Sequence, residues 1–514
     1  MEKKLPIGLQ DFRKIIENGF KYVDKTAYIH QITQNPGAYF LARPRRFGKS
    51  ITIAVLNELY NGSRELFTGL WIEDKWDWTR KNPVVRISLK DANFEQLGLE
   101  VALSDRVREI ASGMGVALQT STARDQFRET IQQLGKNQKV VVLIDEYDAP
   151  IVHYLGKDLQ KAYENRELLK GFYSVLKEKD PFLELVFITG VSKFSKVGIF
   201  SGMNNLNDLT LQADYATMLG YTQEELESNF STEIETAAQK LNLTRTELLD
   251  KMKEWYNGYR FEETTQSVYN PVSVNTFFQV NKFENFWFAT GTPSFLINIL
   301  KQDGIFDLNH QDHTQLDFDS FDLEDLKIYG LLYQTGYLTI KSRDEYGQYL
   351  LDYPNLEVKN AMLAYLIEAF GGVSKGTGIS MAIQLEKAFN ANDLEHVFQV
   401  LQTIFKSLPY FLYEKYPEKF FHAAIHLLFT YMGIRVHSEV CTSDGRVDSL
   451  VETDNHVFIL EFKLDESPQI ALDQIKRKKY YQEYWLKNKK IIGIGVNFSS
   501  TTKNIDQWLA EEIA

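Results

Sequence analysis

The eight residues Arg43-Pro-Arg-Arg-Phe-Gly-Lys-Ser50 constrain this chain more than any others. An apolar run, Ala38-Tyr-Phe-Leu-Ala42, leads into them, and a helical pattern from Ile51 to Tyr60 leads away. Strand, turn, Gly-Lys-Ser and helix in that order is what a phosphate-binding loop requires. The backbone N–H groups of such a loop, and of the helix that follows, converge on phosphate oxygens. Arg46, Phe47, Gly48, Lys49 and Ser50 are therefore the expected nucleotide contacts. Gly48 lets the backbone approach closely, Lys49 reaches the β- and γ-phosphates, and Ser50 offers its hydroxyl to Mg²⁺. The loop departs from G-x-x-x-x-G-K-[ST] at its first position, where Arg43 stands. Arg43, Arg45 and Arg46 would add charge to a triphosphate site or serve a partner.

A second half-site follows about 95 residues later, where Val140-Val-Val-Leu-Ile ends in Asp145-Glu146-Tyr-Asp148. An Asp at that strand end holds Mg²⁺ through water, and the Glu after it polarises the attacking water. Asp145 and Glu146 fit those roles for bound ATP. Pro83-Val-Val-Arg-Ile-Ser-Leu and Leu183-Glu-Leu-Val-Phe-Ile-Thr are further apolar runs without alternation. Such runs read as parallel strands buried on both faces, here separated by helical patterns. The expectation is an α/β domain with a doubly wound parallel sheet over residues 1–225. Thr189 and Ser192, at the end of the last run, would sit beside the γ-phosphate or cap the strand. Arg260 is a candidate sensing arginine, with surface salt bridging as the alternative.

Residues 226–375 read as a helical and winged-helix-like region. Thr222 with Glu225 makes a capping box, and two strand-like runs flank a polar turn between Ile328 and Leu351. Gly371-Gly-Val-Ser-Lys-Gly-Thr-Gly378 is the best linker candidate. Residues 385–514 form a third block. A helical pattern from Glu418 stops at Gly433, and strands follow over Ile434–Val440, Arg446–Val451 and His456–Leu464. Ser467-Pro468 then opens a helix, and Ile491–Phe498 is a last strand. This αβββαβ order is the core of the restriction-endonuclease-like fold. Glu461 and Lys463 are two apart on a strand and share a face. With Asp448 on the preceding strand they match the D-x₁₂-E-x-K spacing of PD-(D/E)XK nucleases. Asp448 and Glu461 would hold Mg²⁺ while Lys463 orients or activates water. Gln474 matches a polar position near such sites, and Lys476-Arg-Lys-Lys479 would meet phosphates or form a solvated face. Glu418 and Glu439 could assist the metal. His422 and His426 have zinc-compatible spacing but no third ligand.

Net charge is −12, which counts against a global grip on nucleic acid and leaves a local contact. One cysteine, Cys441, excludes intrachain disulfides and fits a reducing compartment. No uncharged apolar stretch of about 18 residues occurs, arguing against a membrane span, and no signal-peptide pattern opens the chain. The expected location is cytoplasmic.

Six motifs carry a resemblance. Tyr22-Val-Asp-Lys-Thr26, Arg43-Pro-Arg-Arg-Phe-Gly-Lys-Ser50 and Asp145-Glu-Tyr-Asp148 are three of them. Trp255-Tyr-Asn-Gly-Tyr-Arg-Phe261, Tyr269-Asn-Pro271 and Tyr353-Pro-Asn355 are the others. Together they resemble the bacterial AAA-ATPase-like proteins over nearly the whole chain, and Arg43 is normal within that family. The resemblance implies an AAA-like or STAND-like P-loop ATPase, a helical and winged-helix region, and a C-terminal PD-(D/E)XK nuclease-superfamily domain. One functional expectation is an ATP-binding and ATP-hydrolysing protein that regulates Mg²⁺-dependent cleavage of DNA or RNA. The alternative is a STAND-type switch whose C-terminal domain binds nucleic acid or protein without cutting it. A homo-oligomer is compatible with the ATPase class.

Overall fold

The structure is a computed structural model that describes residues 3–194, 199–200, 203, 205–287, 294–308, 311–318, 323, 326–407, 425–431, 435–442, 445–487 and 489–513. For residues 435–442 and 445–448 the backbone alone is described. There are two compact units: Met1–Leu296 with Asn309–Lys359, and Ile297–Leu308 with Asn360–Ala514.

The first unit is built on a parallel sheet of β1 (Gly37–Ala42), β2 (Val84–Ser88), β3 (Val140–Asp145), β4 (Leu183–Gly190) and β5 (Leu206–Asp208). Their order is β2-β3-β4-β1-β5. The four longer strands lie where the unalternating apolar runs predict them. β5 was not anticipated, because three residues carry no periodicity. All six residues of β3 are buried, as a central parallel strand requires. The helix Lys49–Asn61 packs on β2, β3 and β4, so the phosphate loop is fixed at both ends by the sheet.

After the sheet strands in the chain, the helices Gln223–Asn229, Ser231–Leu241, Arg245–Tyr256 and Pro271–Val280 share a core of Leu226, Ile234, Met252, Tyr256 and Phe277. The predicted capping box is present, Thr222 and Glu225 bonding reciprocally to each other's backbone N–H. A helix, Ile328–Thr335, precedes a three-stranded antiparallel sheet. Its strands are β6 (Gln311–His313), β7 (Thr339–Arg343) and β8 (Tyr349–Asp352), in the order β6-β8-β7. Gly258 adopts φ +103, and a Cβ there would collide with the Pro354 carbonyl. Asn355 Nδ2 donates to the Asn257 carbonyl at 2.7 Å. The Asn-Gly of one motif and the Pro-Asn of another thus interlock.

The second unit carries β9 (Arg435–Thr442), β10 (Gly445–Glu452), β11 (His456–Leu464), β12 (Lys490–Ser499) and β13 (Asn504–Glu512), in the order β13-β12-β11-β10-β9. β11 and β12 are parallel, joined through the helix Pro468–Lys478, and the other pairs are antiparallel. This is the predicted βββαβ run with one strand added. β13 escaped notice because Asp506, Glu511 and Glu512 interrupt its apolar residues. The predicted helix from Glu418 falls partly outside the described residues, Glu418 and His422 with it; 425–431 are helical.

The expected linker Gly371–Gly378 has a different role. Ser374 caps the helix Lys375–Asn390 through the Thr377 N–H. Gly378 lies against Ile367 where no Cβ would fit. Gly378 thus permits close packing of two helices rather than freedom of the chain.

Candidate functional site

The loop after β1 sorts its peptide groups by direction. Lys49 Nζ donates to the carbonyls of Arg43 and Pro44 at 2.8 and 2.9 Å. The carbonyl of Phe47 accepts from Gly220 N–H at 3.4 Å, and that of Gly48 from Thr52 N–H at 3.0 Å. Arg46 and Gly48 take left-handed φ values of 70 and 107. Alternating hand along successive residues turns their N–H groups toward one point, the geometry of an anion nest. Gly48 caps the helix Lys49–Asn61, so the helix start adds further unpaired N–H donors. Lys49 is buried, and burial lowers its pKa to about 8. A cation so poorly solvated gains strongly from a phosphate.

Arg43 is not part of the phosphate-facing surface, contrary to the first expectation. It is 1% exposed. Its guanidinium donates to the carbonyls of Ala42, Thr210 and Tyr215 at 2.9, 2.7 and 3.1 Å. It also lies 4.1 Å over the Phe261 ring. Phe47 packs edge-on against Tyr259 and Phe261. The Arg in place of the usual glycine therefore braces the loop from beneath, and the 255–261 motif supplies the brace's other half. Arg43→Lys should destabilise the protein by about 3 kcal/mol in urea denaturation, because an ammonium cannot span three carbonyls in a planar fork. An unchanged midpoint would refute the brace. Arg260 does not reach the loop: its Nη1 donates to Lys341 O at 2.8 Å and its N–H to Thr339 Oγ1 at 2.7 Å, both on β7.

A buried carboxylate, Glu357, lies behind the same face. It accepts from Ser273 Oγ at 2.7 Å and from Trp287 N–H at 2.6 Å. Burial outweighs these bonds and raises its pKa from 4.5 to about 7. The proton is bound more tightly in the folded state, so this group's contribution is complete below pH 4.5 and is lost as pH rises through about 7. That interval corresponds to about 3 kcal/mol, at 1.36 kcal/mol per unit. In chemical denaturation the stability of wild type minus that of Glu357→Gln should fall by that order between pH 4.5 and 8. A flat difference would contradict the shift.

β4 lies between the loop strand β1 and the acid strand β3. Thr189, near its end, donates to Asp145 Oδ1 at 2.7 Å. Asp145 is buried, and Lys49 is drawn electrostatically toward Glu146, Asp145 and Asp148. Thr189 thus joins the site through Asp145. Ser192 does not: its N–H and hydroxyl both go to Asp148, which also takes the Val191 N–H. Glu146 adopts φ 51 and lies 3.8 Å from Lys90 Nζ. Burial raises the Glu146 pKa, making its carboxylate a better proton acceptor. Ser50 hydroxyl and Asp145 carboxylate are an all-oxygen donor set, which fits Mg²⁺.

In the second unit Glu461 is 2% exposed on β11. Lys463 Nζ donates to Glu461 Oε1 at 3.1 Å, and Gln474 Nε2 donates to the same oxygen. The shared face of residues two apart is therefore realised, and the crossover helix brings Gln474 onto it. Asp448 belongs to β10, whose residue Ser449 pairs with Leu460. One further antiparallel step sets position 448 opposite 461. The side chains of Asp448 and Glu439 lie outside the described residues. Among the described residues no cluster of three His, Cys, Asp or Glu side chains could hold a metal. His426 lies 3.5 Å from Asp307, a buried packing position. Lys476 pairs with Glu511 at 2.6 Å, while Arg477 and Lys479 are exposed.

Residues 6–200 match the family described as Predicted AAA-ATPase, and residues 416–508 match the PD-(D/E)XK nuclease superfamily. The chain is also similar along its whole length to the "Uncharacterized protein in vnfD 5'region" of Azotobacter chroococcum mcd 1. The two are 36% identical over 535 aligned positions, with 99% of each covered. The chain belongs to the AAA-ATPase-like family. Like the family's other motifs, the loop of this AAA-ATPase-like protein is legible in its sequence; its supports are not. Trp287, Tyr259 and Phe261 reach the loop or its brace from 210 or more residues away, with Glu357 behind Trp287, and single aromatic or acidic residues carry no motif. The one available signal was the clustering of aromatics in Trp255-Tyr-Asn-Gly-Tyr-Arg-Phe261. Among the described residues no helix is long and apolar enough to cross a membrane.

Proposed function

We propose that this AAA-ATPase-like protein binds and hydrolyses ATP in its first unit and thereby regulates Mg²⁺-dependent phosphodiester cleavage of DNA or RNA in its second. The observation that carries the reading is the presence of two polar constellations in one chain. Lys49 sits in a loop of inward amides with Asp145 and Glu146 nearby, and Lys463 and Gln474 converge on the buried Glu461.

In the first unit the loop amides from Arg46 to Ser50 bind the phosphates and Lys49 neutralises their charge. Ser50 and Asp145 would hold Mg²⁺, which supplies charge neutralisation at the β- and γ-oxygens. Thr189 orients Asp145, and Glu146 receives a proton from the attacking water. In the second unit Asp448 and Glu461 would hold Mg²⁺, which supplies Lewis acidity at the scissile phosphate. Gln474 fixes Glu461, and Lys463 orients the water. The exposed Arg477 and Lys479 suit a phosphate backbone.

A STAND-type switch without cleavage is the second reading. It is favoured by the net charge of −12 and by the neutralisation of Lys476 on Glu511. The test is a cleavage panel of single- and double-stranded DNA and RNA with Mg²⁺, with and without ATP. ATP-dependent cutting supports the first reading. Binding of nucleic acid or protein with no cutting under any condition supports the second.

A further inference from the structure

A trans peptide points its C=O and its N–H in opposite directions. Whatever holds a carbonyl in the phosphate loop therefore also aims the next amide. The chain has no cis peptide among its described residues. Four loop carbonyls are held by the loop's own lysine or by neighbouring backbone, as described above. The fifth, that of Arg45, accepts from the indole Nε1 of Trp287 at 3.0 Å. The peptide it belongs to ends in Arg46, a non-glycine residue at φ 70. A left-handed arginine is unfavourable by roughly 1–2 kcal/mol and needs an external restraint. Among the described residues no protein group accepts from the amides of Arg45, Arg46, Phe47 or Gly48.

Trp287 is itself held in place. It is 5% exposed, with the Tyr337 ring at 5.3 Å and the Tyr259 ring at 6.3 Å. Its own N–H donates to Glu357 Oε1 at 2.6 Å, and Glu357 Oε2 takes Ser273 Oγ. Gly336, at φ +91, has no Cβ where one would press 2.7 Å from Pro44 and 3.5 Å from the indole. The fit of Pro44 beside Trp287 thus depends on that glycine.

We propose that Trp287 is a positioning residue for the triphosphate: its indole N–H holds the Arg45 carbonyl so that the Arg46 amide faces the phosphates, and Glu357 fixes Trp287 for that task. This rests on the loop being the ATP site. A merely structural tryptophan would affect stability, or the binding of every nucleotide alike. A positioning one affects binding in proportion to the phosphates that the loop contacts.

The test uses the full chain with Mg²⁺, titrated with ATP and with AMP, which lacks the β- and γ-phosphates. Trp287→Phe keeps an aromatic ring and removes the donor. Its ATP affinity should fall about 10-fold, the size of one lost hydrogen bond, while the AMP affinity of the folded variant stays near wild type. Glu357→Ala should reproduce the ATP-selective loss, and Glu357→Gln, which keeps an acceptor for the Trp287 N–H, should largely restore binding. Equal losses for ATP and AMP, or no loss, would overturn the proposal. If Trp287→Phe does not fold, the Glu357 pair decides on the same criterion. Wild type that binds no ATP through Lys49 removes the ATP-site reading itself. Wild type that binds it, with Trp287→Phe unaffected, removes this inference alone.

Discussion

Lys49→Ala is expected to lower ATP turnover about 100- to 1,000-fold, the usual consequence of deleting a preorganised charge at a phosphoryl-transfer site. The ammonium has two tasks here. It holds the Arg43 and Pro44 carbonyls, and under the proposed function it would meet the phosphates. Alanine abolishes both, so ATP binding should weaken together with turnover. Burial already lowers the Lys49 pKa to about 8. Removing the lysine relieves a poorly solvated cation but leaves the Arg43 and Pro44 carbonyls without their donor, so the two effects on stability oppose each other. Loss of turnover in protein that remains folded is the expected result. Turnover within a few-fold of wild type would place the chemistry elsewhere.

Glu461→Gln is the second large effect. Glu461 is buried and gathers Lys463 and Gln474 on one oxygen. The amide keeps the shape and removes the charge, so a divalent cation loses a carboxylate and Lys463 loses its counter-ion. Cleavage should fall at least about 100-fold, measured as nicking of a labelled strand under Mg²⁺. ATP turnover should be unaffected, because Lys49 and Asp145 belong to the other unit. Cleavage at the wild-type rate would remove Glu461 from the reaction and favour a binding module.

What the sequence made visible, and what it hid, follows from the range of the interactions. β1, β3 and β4 were visible because parallel strands buried on both faces are apolar without interruption, and their polar ends stand out. Asp145 and Glu146 ended one such run, Thr189 another. Glu461 and Lys463 were visible because alternation along a strand is a local rule. Gln474 was reachable from its place on the helix after β11. Arg43 is misleading in the sequence because an arginine beside two others looks solvated, and its real partners, Thr210, Tyr215 and Phe261, are more than 160 residues away. Trp287 is invisible for the same reason, its Arg45 partner lying 242 residues away, and Glu357 is hidden because its task is only to hold Trp287. Gly371–Gly378 looked like a linker because glycine permits freedom and close packing alike, and only the Ile367 side chain against Gly378 decides between them.

Regulation is the central claim, and the cleavage activity of Lys49→Ala protein tests it most directly. The variant leaves Glu461, Lys463 and Gln474 untouched. With Mg²⁺, ATP and a strand that wild type cuts, Lys49→Ala protein is expected not to cut, while Lys463→Ala protein should fail to cut but still turn over ATP. Cutting by Lys49→Ala protein at the wild-type rate would contradict the account and leave two independent activities in one chain.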